Sequence, residues 1–252
     1  MIQVREFKPI KTTRISDEVL AQIKDAILTG RFKPGEKLPS ERELIESFNV
    51  SRAVIREAVR SLELTGFVTV RQGPTGGAFV NDLNLDRVSS AYLDLFNAGK
   101  FSMEELTQVR LHLEPEIVRL ATANITPAKL ADLETVYKKE HNPTKHHSAW
   151  VRQNLEIHHA LAAICGNRFY EALINPVLTL TEELICVVKP SQMVIHSHPE
   201  HAKVIRLVGL GQADKAAKAM AEHVKNTTSA LGDLERDYRM RMGLPLPDKL
   251  KH

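Results

Sequence analysis

Hydrophobic positions recur with helical spacing near the start of the chain. Ile15, Val19, Ile23 and Ile27 lie four residues apart, which is the spacing of one apolar face of an α-helix. The pattern stops at Gly30, a residue that commonly follows the last turn of a helix. The sequence therefore predicts an amphipathic helix that ends there.

Two more helices are predicted after a turn at Pro34-Gly35. Ser40 and Glu43 have the spacing of a capping box, in which each side chain satisfies a backbone N–H of the other residue. The short helix that starts there should end near Asn49. Ser51 is a favourable N-cap, and the segment Ser51–Leu64 is predicted to be the third helix.

A β-hairpin is predicted next. The segments 67–70 and 78–80 have strand character, and the turn 72–77 between them is rich in glycine. The order of three helices and a hairpin is typical of a winged helix-turn-helix domain, which we assign to residues 1–81. The polar stretch 82–86 is interpreted as a linker.

The rest of the chain, residues 87–252, shows no convincing strand pattern, and we predict an all-helical bundle there. Pro115 and Pro176 fall inside predicted helices and should kink or divide them. The fold class is therefore mainly α, with an N-terminal winged helix-turn-helix. The helices predicted in the second domain are 87–97, 103–123, 127–140, 149–165, 169–188, 200–207 and 213–241.

Composition excludes several classes of protein. The chain is 43% hydrophobic and 26% charged, which is typical of a globular protein with a core and not of a disordered or collagen-like chain. No stretch approaches the ~18 apolar residues of a membrane span, and residues 1–14 lack an apolar signal region. Cys165 and Cys186 form no CxxC pair, so we expect buried thiols in a cytoplasmic protein without a membrane partner.

Positive charge is concentrated at the N-terminus. The net charge is +3, and the first 80 residues hold 13 lysines and arginines against 10 acidic residues. This asymmetry indicates, weakly, a polyanionic partner for the first domain.

The N-terminal domain also carries a long motif in three pieces: Leu-Pro-Ser-Glu-Arg-Glu-Leu at 38–44, Val-Ser-Arg-Ala-Val-Ile-Arg-Glu-Ala at 50–58 and Leu-Glu-Leu-Thr-Gly-Phe-Val at 62–68. This motif resembles the GntR family of bacterial transcription regulators. The resemblance covers roughly residues 10–80, and it implies binding to double-stranded DNA.

The third predicted helix supplies candidate base contacts. Ser51 and Arg52 lie at its N-terminus and Arg56 lies one turn further on, where a recognition helix enters the major groove. The alternative is that these arginines pair with Glu57 or Glu63 on a solvated helix face, as most surface charges do.

Other DNA contacts follow from the second helix and from the resemblance. Arg42, at the start of the second helix, is expected over a phosphate or a guanine edge. The resemblance implies that Gln72 and Gly73 of the wing reach the minor groove, where glycine permits close backbone approach. Some family members have His at the position of Gln72.

Histidines of the second domain form a candidate metal site. Asn154 and His158 lie four residues apart and share a helix face, and His201 and His223 belong to two other predicted helices. Imidazoles that converge from three helices of a bundle would suit Zn(II) or Ni(II). A chain with 11 histidines also places some of them on helix faces as packing residues, and spacing alone leaves both readings open.

The second domain resembles the FCD ligand-binding domain, which defines the FadR-like branch of the GntR family. The matching pieces are 110–114, 154–162, 166–167, 200–201 and the Gly-x-Ala-Asp-x-x-Ala-x-x-x-Ala-x-His pattern at 211–223.

That resemblance implies a divalent metal held by His158, His201 and His223. The family usually has Asp four residues before the first His. Asn154 stands there in this chain, so the site loses one unit of charge and keeps an amide oxygen as its fourth donor. The resemblance also places Arg110 beside the pocket, where a guanidinium would suit an organic acid. The alternative for Arg110 is an ion pair with Glu114.

Together these features predict a cytoplasmic, homodimeric transcription repressor, and not an enzyme. It would bind a palindromic DNA operator and respond to a small carboxylate effector at a divalent metal site. One alternative is the same regulator without metal, responsive to acyl-CoA. A three-histidine hydrolase is the other, and it would need Glu156 or Glu200 as a general base, but Glu156 points off the ligand face.

The histidines interpreted as surface or packing residues are His112, His141, His146, His147, His159, His196, His198 and His252.

Overall fold

The computed structural model describes residues 15–83, 86–140, 146–189 and 198–247. The chain divides into two compact units, 1–84 and 85–252. Residues 84–85 of the predicted linker lie outside the described part.

The first unit is a winged helix-turn-helix, as predicted. Ser40 and Glu43 form the expected capping box, and Ser51 is the N-cap of the third helix. The two strands pair antiparallel, with Val68 opposite Val80. The elements are α1 (Ile15–Leu28), α2 (Glu41–Phe48), α3 (Arg52–Leu64), β1 (Val68–Arg71) and β2 (Gly77–Val80).

The core of this unit lies between α1, α3 and the hairpin. Val19 and Ile23 of α1 and Ile55 and Leu62 of α3 are almost fully buried. Ile15, the first residue of the predicted apolar face, is exposed because it begins the helix.

The segment after the predicted turn adds a short third edge to the hairpin. Gly35 donates a backbone hydrogen bond to Val80, and Leu38 donates one to Ala78. Lys37 forms a β-bridge with Phe79. The sequence predicted only the turn, because a bridge to residues some 40 positions away has no local signal.

The second unit is all-helical over the described residues, as predicted. Its helices are α4 (Asp86–Asn97), α5 (Met103–Ala123), α6 (Pro127–Glu140), α7 (His147–Ile164), α8 (Arg168–Val188), α9 (His198–Gly209) and α10 (Ala213–Met242). Helix α5 packs along α10, and α7 packs on α8.

The prolines do not divide their helices. Helix α5 continues through Pro115 and α8 continues through Pro176, so the expectation of division is wrong. Proline inside a helix costs about 3 kcal/mol. The buried Ile117 and Val118 beside Pro115 each contribute roughly 1.5–3 kcal/mol of burial, which outweighs the lost hydrogen bond.

A buried ion pair joins α10 to the turn between α4 and α5. Arg239 and Glu235 are each about 1% exposed, and Arg239 Nε donates to Glu235 Oε1 at 2.7 Å. Arg239 also donates to the carbonyls of Phe96 and Pro245. Glu235 Oε2 accepts from the backbone N–H of Met103, the first residue of α5. The pair therefore caps the end of α4 and the start of α5 together.

The cysteines are free thiols, and none of the described helices is long and apolar enough to cross a membrane. Cys165 is buried as expected. Cys186 is only partly buried, since it shares a side of α8 with Glu182 and Glu183.

Candidate functional site

A polar cavity lies inside the second unit, between α5, α7, α8, α9 and α10. Its lining residues are Arg110, Trp150, Val151, Asn154, Leu155, His158, Thr181, Ile185, His201, His223, Thr227 and Leu231. All five residues predicted for the metal and effector site are among them. About 40 Å³ is open to the centres of water molecules. Since one water needs ~10–15 Å³ by this measure, the cavity has space for an ion and a few donor atoms.

The three predicted histidines converge in this cavity. His158, His201 and His223 are each at most 4% exposed, and one ring nitrogen from each lies within 4.8 Å of those of the other two. His201 Nε2 and His223 Nε2 are 3.1 Å apart, a separation that two ligands of one ion can have when each bond is ~2.0–2.1 Å.

A carboxylate lies against the Nδ1 atom of every histidine in the cluster. An ionised carboxylate only accepts hydrogen bonds, so each imidazole donates from Nδ1 and keeps Nε2 as its remaining nitrogen. Histidine ligands of metals are commonly oriented in this way. The pairs are His158 with Glu114 at 2.5 Å, His201 with Glu140 at 2.7 Å and His223 with Glu200 at 2.9 Å.

The sequence interpretation missed the role of these carboxylates. It considered Glu114 only as a partner of Arg110 and Glu200 only as a general base, and it did not consider Glu140. Glu140 and His201 are 61 residues apart, and no local pattern signals such a contact.

Burial and neighbouring charges set the protonation of the cluster. Burial lowers the pKa of His158, although Glu114 opposes the shift. Burial, and then the adjacent His201, lower the pKa of His223 to about 4. Burial would raise the pKa of Glu114, but Arg110 and His158 together bring it well below its ordinary value. At neutral pH His158 and His223 are therefore neutral, as metal ligands must be, and Glu114 is ionised.

Asn154 is a buried amide without a hydrogen-bond partner. It lies on α7 one turn before His158 and borders the cavity, and neither Oδ1 nor Nδ2 is bonded to any described residue. An unsatisfied buried polar group costs about 1–3 kcal/mol. The orphaned amide therefore fits a site that receives a metal ion or another polar ligand.

Arg110 combines the two roles that the sequence left open. Its Nε donates to Glu114 Oε1 at 2.6 Å, while its side chain also borders the cavity. Glu114 Oε2 is bonded to His158. Glu114 therefore connects the candidate effector contact to a candidate metal ligand.

The remaining described histidines lie outside this cavity. His112 is exposed and bonded to the carbonyl of Gln108, and His159 is bonded to Asn175. His146 is exposed. His141, His196 and His252, and the side chains at 147 and 198, lie outside the described residues.

On the first unit, Arg52 and Arg56 extend from α3 into solvent, and Ser51 caps the helix. Neither arginine makes an ion pair within the part of the chain that the structure describes. Glu63 accepts a hydrogen bond from the backbone of Val70 instead.

The other predicted DNA contacts are also exposed. Arg42 lies in the first turn of α2, and its Nε atom is 3.9 Å from Oε1 of Glu46, which is also exposed. Gln72 and Gly73 lie in the hairpin turn, where Gly73 has a φ of 106° that L side chains rarely adopt.

Two basic side chains that the sequence interpretation did not single out also lie at the hairpin. The Arg71 guanidinium is 4.4 Å from the ring centre of Phe79, and Lys37 Nζ is 5.9 Å from it. Cation–π contacts of this kind hold the cations beside the wing.

Two units of this construction, a winged helix-turn-helix and a helical bundle with a buried polar cavity, are typical of a ligand-responsive transcription regulator. Residues 15–80 match the family "Bacterial regulatory proteins, gntR family", and residues 105–226 match the FCD domain. The chain belongs to the GntR family, with an FCD domain as its second unit, and it is a DNA-binding transcription regulator of this type.

Several named proteins are similar over most of their length. The HTH-type transcriptional repressor NanR of Klebsiella aerogenes is 27% identical over 92% of each chain. The HTH-type transcriptional regulator LutR of Bacillus subtilis is 28% identical over 81% of this chain and 95% of its own. A solved structure, Streptococcus agalactiae GntR, is 27% identical with a TM-score of 0.65 and covers 85% of this chain and 99% of its own. These relatives are named as regulators and not as enzymes.

Proposed function

We propose that this regulator is a homodimeric repressor of the cytoplasm, whose affinity for a palindromic operator is controlled by a divalent metal and a small carboxylate effector. The observation that carries the proposal is the convergence of three buried histidines, each with its Nδ1 held by a carboxylate. That arrangement leaves three Nε2 atoms for one ion.

In this proposal His158, His201 and His223 hold Zn(II) or Ni(II), and the Asn154 oxygen is a further donor. When bound, the metal supplies positive charge and open positions to a carboxylate. Arg110 provides a second cationic contact in the same cavity.

The small cavity favours a compact acid over a long acyl chain, so the acyl-CoA alternative receives no support from it. Neither of the two described glutamates considered for the hydrolase alternative is placed to act as its base. Glu156 is exposed, and Glu200 is bonded to His223 and Asn226.

DNA recognition is assigned to the exposed face of the first unit. Arg52 and Arg56 would read base edges in the major groove, with Ser51 at the helix start. Arg42 would contact the DNA near that helix, and the wing tip at 72–73 would enter the minor groove. A dimer requires two half-sites at fixed spacing, so an effector that alters the placement of the two recognition helices changes operator affinity.

Metal binding by purified protein tests the proposal. Zn(II) and Ni(II) affinities would be measured by competition with a chromophoric chelator, with metal content by elemental analysis. His201→Ala should abolish binding, because two imidazoles and an amide are too few strong donors. Asn154→Asp should tighten it by adding a charged oxygen. His159→Ala, whose side chain lies outside the cavity, is the matched control.

One result would refute the metal site: wild-type protein that stays metal-free after dialysis against both ions, with His201→Ala indistinguishable from it. Native mass spectrometry of the same samples reports the oligomeric state, and a monomer would contradict the dimer. DNA selection from a random pool should return a two-fold symmetric sequence.

A further inference from the structure

The donors that border the cavity carry no charge of their own. A histidine binds a metal ion through its neutral imidazole, and the Asn154 amide is neutral at any pH. A divalent cation surrounded only by neutral donors in a buried site would leave its charge uncompensated, which is strongly unfavourable. Before a carboxylate effector binds, compensating charge must therefore come from the groups that contact these donors.

Three carboxylates and one guanidinium provide that charge. Glu114, Glu140 and Glu200 each contact a histidine of the cluster, and Arg110 contacts Glu114. With the carboxylates ionised, these four groups sum to two negative charges. That total matches one divalent cation.

We propose that Glu114, Glu140 and Glu200 supply the negative charge that the neutral Asn154 does not, and that this charge strengthens the binding of a divalent cation. This inference rests on the proposed function. The three glutamates act through the histidines and are positioning residues. Their contacts join α5 to α7, α6 to α9 and α9 to α10, so they also hold the helices around the cavity.

Glu200 is the best position for a test. It reaches from α9 to His223 on α10, and its second oxygen accepts from Asn226 at 2.6 Å. Its side chain is 27% exposed, so a glutamine there faces little desolvation. Glu200→Gln keeps an oxygen that can accept from His223 Nδ1, removes the charge, and places an amide NH₂ in the position of the oxygen that accepts from Asn226.

Chelator competition with Zn(II) and Ni(II) on the full-length protein measures the effect. Glu200→Gln should bind metal about 10- to 100-fold more weakly, which is the usual loss when the hydrogen-bond partner of a metal-ligating residue is changed. The double variant Glu200→Gln/Asn154→Asp should recover most of that loss, because it returns one negative charge to the site. A purely structural role for Glu200 predicts that Asn154→Asp gains the same factor in the Glu200→Gln background as in the wild type, whereas charge compensation predicts a larger gain in the variant.

Glu222→Gln is the control, since Glu222 lies on α10 beside His223 but pairs with the exposed Lys203. Thermal unfolding of the metal-free variants distinguishes a weakened metal site from a damaged fold.

Two results overturn the inference while metal binding itself stands: unchanged affinity in Glu200→Gln, or an Asn154→Asp gain that is no larger in the Glu200→Gln background than in the wild type. Absence of metal from the wild type refutes the proposed function, and this inference with it.

Discussion

Arg239→Met is predicted to destabilise the second unit severely. The substitution keeps much of the side-chain volume and removes the charge and every donor. It leaves the Glu235 carboxylate buried with only the Met103 N–H as a described partner. The backbone carbonyls of Phe96, Phe101 and Pro245 lose the hydrogen bonds that Arg239 donates to them.

The expected loss follows from burial. Removal of one partner from a buried ion pair costs about 3–5 kcal/mol, because the remaining charge is uncompensated. Part of this loss is the desolvation of Glu235, so Arg239→Met/Glu235→Gln should be more stable than Arg239→Met alone.

Trp150 makes the unfolding measurement specific to the second unit. It is the only tryptophan of the chain and lies 7% exposed in the core of the second unit. Urea titration followed by tryptophan fluorescence therefore reports the free energy of unfolding of that unit. Arg236→Met is the matched control, since Arg236 is an exposed arginine on the same helix and should change stability by no more than ~0.5 kcal/mol. A loss below about 1 kcal/mol for Arg239→Met would refute the reasoning.

Two further predictions concern DNA and pH. Arg52→Ala and Arg56→Ala should each weaken operator binding by about 1–3 kcal/mol, the value of a good bidentate base contact. The control is Arg31→Ala, which removes an exposed arginine that follows α1 and pairs with Asp25, and it should leave operator binding unchanged. Gel-shift titration at one salt concentration measures this, and unchanged discrimination against random DNA in both variants would exclude them from base reading. Metal affinity should fall as pH decreases, because protonated imidazole cannot bind a metal. Since burial lowers the pKa of His158 and that of His223, the fall should begin below the ordinary histidine value of ~6.5. Chelator competition from acid to neutral pH measures the midpoint, and a midpoint above ~6.5 would contradict the expectation.

Local signals in the sequence were sufficient for the secondary structure. The capping box predicted at Ser40 places the start of α2, and it is present in the structure. This prediction succeeds because a cap is a contact between residues three positions apart. The spacing of His158, His201 and His223 on three predicted helices left metal ligands and packing residues both open, and the resemblance to the FCD domain is what favoured a metal site.

Tertiary structure alone decided how that site is built. The sequence could not pair Glu140 with His201 or bring Arg239 to the end of α4, because those partners are 61 and 143 residues apart. The sequence left a kink and a division both open at Pro115, and the helix is continuous there. In each case the deciding energy is the burial of groups from distant segments, which depends on how the helices pack and not on the residues next to them in the chain.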